Sequence, residues 1–181
     1  MYQGNNPTAL QSQQWIIDSL LDLMKEKEYQ QITIRDICKK ADLSRQTFYN
    51  IFEQKEDILR CCLQKSYQAQ FDKLRDTEAI SVQQIVDAFE AVLEEENELI
   101  QLMLEHKLDM IILNEIEKCV SLFANRFVKM DKRKQLPYSQ ALLSGALSYT
   151  LVFWSQQENP ISKEELVGLI KDFLEGKLYE F

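Results

Sequence analysis

Residues 33 to 52, TIRDICKKADLSRQTFYNIF, place two helix-capping signals and one tight turn within twenty positions, which leaves this segment few ways to fold. The Thr33 hydroxyl is suited to accept from the free amides of a first turn, and Ile34, Ile37, Cys38 and Ala41 then fall on one face of a short helix. Asp42 and Leu43 supply the turn. Ser44 caps a second helix that buries Phe48 and Phe52 at i and i+4 and turns Arg45, Gln46, Thr47, Tyr49 and Asn50 outward. Arginine, glutamine and asparagine carry the donor and acceptor pairs that match base edges in a DNA major groove. The pattern predicts a helix-turn-helix whose second helix reads DNA.

The net charge of -8 opposes that reading until the chain is divided. Through residue 60 there are 8 Lys+Arg against 9 Asp+Glu, leaving 13 against 20 for the remainder, so the acid lies mostly outside the helix-turn-helix. A near-neutral head binds phosphate if Arg35, Lys39, Lys40, Arg45 and Lys55 share a face, because local contacts set the electrostatic attraction. With 45% hydrophobic and 28% charged residues but only 4 Gly and 3 Pro in 181, the chain has the profile of a helical globular protein. There is no apolar run long enough to span a bilayer and no basic-then-apolar leader at the start, which predicts a soluble cytoplasmic protein with no membrane partner.

Helical periodicity runs the length of the chain, and strand alternation is absent. A first helix is expected from about Thr8 to Glu28, opened by Asn6-Pro7, and a fourth from Lys55 through Phe71. Ser81 opens another that ends in the acidic Glu94-Glu95-Glu96, read as a solvated helix end. Leu99 to Leu104 and a long helix from about Leu108 to Lys129 follow, then a charged loop from Lys129 to Lys134, exposed or folded toward DNA phosphate. Residues 141 to 154 hold ten apolar residues in fourteen, too many for a surface helix, so burial on most sides is expected. Ser162 and Glu165 form a capping box for a last helix with Leu166, Leu169, Ile170, Phe173 and Leu174 as its stripe. These two helices packed on their symmetry mates would form a four-helix dimer interface, with Leu142, Gly145, Ala146, Tyr149, Leu166, Leu169, Ile170 and Phe173 as the contact residues.

Ser44, Thr47, Phe48, Tyr49, Phe52, Lys55 and Glu56 match the Ser-x-x-Thr-aromatic-Tyr-x-x-Phe pattern and following Lys-Glu pair of TetR-family transcriptional regulators, and the chain resembles that family. It departs where Asp42 replaces the usual glycine and Ile51 a common aromatic; aspartate tolerates left-handed backbone better than most residues. Arg45 to Asn50 is also similar to the dihydroxyacetone-kinase regulator branch. The resemblance implies an all-α fold, with a three-helix head over residues 1–53 and a helical ligand-binding and dimerisation body over 54–181. It implies a homodimer on a palindromic double-stranded DNA operator, repression released by a small effector, no enzyme activity and no cofactor. Arg45 and Gln46 would read bases, Thr47 would touch a methyl or phosphate, Ser44 and Asn50 would lie at the same surface, and Thr33, Tyr49 and Lys55 would hold backbone phosphates.

Phe89, Met103, Met110, Phe123, Tyr149, Phe153 and Trp154 are the candidates for a pocket taking an apolar or amphipathic effector, although the same spacing describes packed core. His106 lacks a His or Cys partner for a metal and reads as a surface or hydrogen-bonded residue. Cys38, Cys61, Cys62 and Cys119 have no metal-ligand spacing and read as buried thiols, with redox sensing as the alternative. No catalytic motif is present. Two other functions share this fold: a coactivator or interaction adaptor acting through a protein partner, and a small-molecule carrier with a vestigial head.

Overall fold

The computed structural model describes residue 4 and residues 6–77, 80–127 and 134–178, with the side chains of 125–127 excepted. Among the described residues the chain is helical without strands: α1 (Pro7–Glu26), α2 (Ile34–Lys40), α3 (Arg45–Tyr49), α4 (Glu56–Lys73), α5 (Val82–Glu95), α6 (Asn97–Glu105), α7 (Asp109–Phe127), α8 (Leu136–Ser155) and α9 (Lys163–Leu174). A single 3-10 turn, Tyr29–Gln31, joins α1 to α2. The loop from Lys129 lies outside the described residues up to Lys134.

Most boundaries follow from local capping chemistry. Asn6 accepts from the Thr8 amide at 3.0 Å ahead of Pro7, whose missing N–H costs nothing at a first helical position. Ser81 with Gln84 and Ser162 with Glu165 form reciprocal capping boxes that start α5 and α9. The fourth helix begins at Glu56, one residue later than expected, with Lys55 at the cap position.

The three head helices close over Ile16, Leu20, Ile37, Phe48 and Phe52, all completely buried. Ile51, which replaces the aromatic usual in the family, is buried in the same cluster. α4 carries this core into the body through Ile58 and Leu59, then packs on α5 and α7. α8 lies along α7, and α9 rests on α5.

α8 accounts for its own apolar excess. Its inner face, Leu143, Leu147 and Leu151 at every fourth position, borders a chamber in the body, and the Ser144 and Ser148 hydroxyls donate to their own helix's carbonyls. Its outer face leaves Tyr138, Leu142, Tyr149 and Phe153 more than half exposed in the single chain. The expectation of burial on most sides is therefore not met within one chain. Leu169 and Phe173 of α9 are likewise exposed. Leu166 and Ile170 are instead buried inside the chain, where they serve the core and are unavailable to a partner.

Candidate functional site

The reading surface is held by short-range bonds at its base. The Asp36 amide donates to Thr33 Oγ1 at 3.2 Å, and Asp36 Oδ2 accepts from the Thr33 amide at 3.0 Å. The same oxygen accepts from Lys27 Nζ at 2.8 Å, tying the start of α2 to the end of α1. The Lys27 ammonium and then the Thr33 donors hold the Asp36 carboxyl well below the usual aspartate range. Asp42 sits in the left-handed region at φ 53°, as the sequence anticipated, and the Leu43 amide closes the turn onto the Cys38 carbonyl at 2.9 Å. Ser44 Oγ then accepts from the Thr47 amide at 3.0 Å and starts α3.

α3 spans only five residues, and Phe48 anchors it from below. Arg45, Gln46, Tyr49 and Asn50 are exposed above, with Thr47 half-buried. Gln46 Nε2 donates to Asn50 Oδ1 at 3.1 Å, which fixes the two amides in one orientation. The Ser44 and Thr47 hydroxyls lie 2.9 Å apart, so each partly satisfies the other. Five of the eight residues expected at DNA (Ser44, Arg45, Gln46, Tyr49 and Asn50) are thus presented on one exposed surface, while Thr33 is exposed at the neighbouring helix start.

Lys55 is placed differently from the phosphate-holding role expected of it. Its Nζ donates to the Tyr29 carbonyl at 2.7 Å and the Ile32 carbonyl at 2.9 Å, and sits 4.1 Å from the centre of the Tyr29 ring. Burial lowers its ammonium below the ordinary lysine range. The side chain fastens the segment between α1 and α2 to the start of α4.

His106 makes a second fastening, between body and head. Its Nε2 lies 2.8 Å from the Met24 carbonyl, and its Nδ1 accepts from the Tyr29 amide at 3.4 Å. Both bonds are satisfied together when the proton is on Nε2, so the ring is a bridge from the end of α6 to the end of α1.

The body encloses a chamber of about 260 Å³ bordered by α4, α5, α6, α7, α8 and α9. Of the seven expected effector contacts, Phe89 and Phe123 line it. Met103 is completely buried in the core, whereas Met110, Tyr149 and Phe153 face outward. Trp154 is packed beside the core with its Nε1 donating to the Ile161 carbonyl at 2.6 Å, which closes the turn into α9. Val86, Ile112, Ile116, Leu143, Leu147 and Leu151 also line the chamber and were not expected there; the i, i+4 spacing of Ile112 with Ile116 on α7 and of Leu143, Leu147 and Leu151 on α8 was the available signal. Cys119 also borders the chamber, and burial pushes its thiol up to about 12. The remaining cysteines are likewise unpaired thiols.

Residues 16–62, which comprise this helix-turn-helix and its supports, match the family described as bacterial regulatory proteins, tetR family. The match makes this segment similar to the DNA-binding head of tetR-family regulators. A 55-residue stretch is 38% identical to the HTH-type dhaKLM operon transcriptional activator DhaS of Lactococcus lactis, covering 30% of this chain and 29% of that protein. Over the full fold, the chain is similar to the crystal structure of Lin0861 from Listeria innocua, with TM-score 0.74 and 14% identity over 97% of this chain and 96% of that one. A TetR transcriptional regulator from Streptococcus agalactiae aligns with TM-score 0.60 and 19% identity over 92% and 95% of the two chains. No described helix is long and apolar enough to cross a membrane.

Proposed function

We propose that this chain is a TetR-family regulator, a sequence-specific DNA-binding protein that acts as a homodimer on a palindromic operator and answers to a small apolar or amphipathic effector. The observation that carries the reading is the α3 surface: Arg45 and Gln46 stand exposed in the first turn of a capped helix whose other side is locked by Phe48. Side chains in that position would reach base edges, and Thr33, Thr47 and Tyr49 would meet backbone oxygens. The division into a head over 1–53 and a body over 54–181 belongs to the same proposal.

Dimerisation is supported by the exposed stripe Tyr138, Leu142, Tyr149 and Phe153 with Leu169 and Phe173. Exposed apolar surface of this extent marks an interaction site. Gly145 and Ala146 lie on the same helix between Leu142 and Tyr149, where small side chains permit close approach. A pair of heads must then sit about one helical turn apart, roughly 34 Å, to enter successive major grooves. An effector in the chamber changes operator affinity only to the extent that it favours a head spacing that does not fit.

Repression is the outcome that the family resemblance implies, and activation is the second reading, favoured by the name of the Lactococcus lactis relative. A reporter placed behind the chain's own upstream DNA, with and without the protein, separates the two. A gel shift with the same DNA tests the binding itself: a shift competed by unlabelled specific duplex supports the proposal. Absence of any shift would favour an adaptor acting through another protein.

A further inference from the structure

Glu115 is 2% exposed, and it is the one charged side chain among the described residues that line the chamber. Ionised carboxylates are seldom buried without partners, and this one has three: Gln64 Nε2 donates to Oε2 at 3.0 Å, Lys118 Nζ donates to Oε1 at 2.6 Å, and the Tyr67 hydroxyl bonds it from the chamber side. Lys118 is half exposed and, with Gln64, Asp57, Arg60, Asn114 and Glu117, borders an open polar cleft outside the chamber. The positive charge is therefore on the cleft side, and the carboxylate stands in the wall between the cleft and the chamber. On the chamber side its neighbours are Leu63, Tyr67, Ile112 and Ile116, and Tyr67 is itself buried.

A carboxylate offers about four acceptor positions, and Gln64, Lys118 and the Tyr67 hydroxyl occupy three of them, leaving about one. Apart from Tyr67 and Gln70 the rest of the chamber wall is hydrocarbon, so Glu115 is the one charged acceptor that a molecule inside it meets. A hydroxyl satisfies the acceptor at small desolvation cost. An ionised carboxylate in the same place meets a like charge in a medium that screens poorly, and it gives up its water without a counter-ion. We propose that the chamber selects uncharged chain-like molecules ending in a hydroxyl and rejects the corresponding carboxylates, with Glu115 as the group that discriminates. This rests on the reading of the chamber as the effector site. Its size fits a chain of about ten heavy atoms, judged against a cavity of about 150 Å³ that holds benzene.

The test is calorimetric titration of the full chain with 1-octanol and with octanoate at neutral pH, repeated with Glu115→Gln and with Phe89→Trp. The proposal expects octanol to bind at least tenfold more tightly than octanoate, the gap to close in Glu115→Gln through improved octanoate binding, and Phe89→Trp to lose both by filling the chamber. Far-ultraviolet circular dichroism establishes that each variant is folded. Octanoate binding as tightly as octanol to the unmodified chain, with Phe89→Trp abolishing both, would overturn the selectivity and leave the chamber as an effector site. No binding of either molecule would overturn the chamber reading and this inference with it. An undiminished gap in Glu115→Gln would remove Glu115 from the account.

Discussion

Replacing Lys55 by Met keeps most of the hydrocarbon stem and removes the ammonium that bonds Tyr29 and Ile32. Each bond from a charged donor contributes about 1.5–3 kcal/mol in a protein. The two share one donor group, and removal also relieves the cost of burying the charge, so the loss is less than their sum. About 2 kcal/mol is the expected destabilisation, which for a chain of this size lowers Tm by about 4–8 °C. A phosphate contact would behave in another way. Losing one lowers the slope of log K against log salt by about 0.9 per site and leaves folding stability unchanged. Thermal unfolding and DNA titration at several salt concentrations, on Lys55→Met and the unmodified chain, separate the two. An unchanged Tm together with a reduced salt slope would refute the structural role and restore Lys55 to the DNA surface.

Arg45→Ala should cost about 1–3 kcal/mol per half-site on the operator and much less on scrambled duplex, since base contacts specify and phosphate contacts do not; equal losses on both would make Arg45 a phosphate ligand. Gly145→Phe should leave the folded chain intact, because a Cβ there meets nothing within 4 Å, yet weaken self-association in sedimentation by overpacking the interface. An undisturbed dimer would move the interface elsewhere. The Asp36 carboxyl has its folded pKa depressed by Lys27 and Thr33, so its contribution to stability is present above the ordinary aspartate range and is lost as pH falls through the lower folded value. Carbon-detected NMR titration should place Asp36 well below ordinary aspartates, and Lys27→Met should bring it back up; a normal titration in the unmodified chain would deny the bridge.

The helix starts of head and body alike were legible because their determinants are local. Thr33, Ser44, Ser81 and Ser162 each accept from an amide three residues on, so a window of four residues carries the whole interaction. Asp42 could be placed in left-handed backbone from its side chain alone. Lys55 was not legible in this way: its partners are carbonyls 26 and 23 residues upstream, and backbone oxygens leave no mark in a sequence. The charge pattern around it suggested phosphate instead. α8 shows a different limit. Its composition demanded burial, but a helix apolar on both sides has no period that tells which face borders a chamber and which meets another chain. Hence Tyr149, Phe153 and Trp154 were expected at the chamber, whereas Leu143, Leu147 and Leu151 are the residues of α8 that line it. Glu115 was hidden among 29 acidic residues, since only packing distinguishes a buried glutamate from a solvated one.

The central claim is that a pair of heads reads a symmetric site, and selection of bound duplexes from a random DNA pool, followed by sequencing, tests it most directly. The account predicts an enriched inverted repeat whose half-site centres lie about 10 base pairs apart or a multiple of that, with enrichment lost in Arg45→Ala. Recovery of no motif, or of a motif without two-fold symmetry that survives Arg45→Ala, would contradict it.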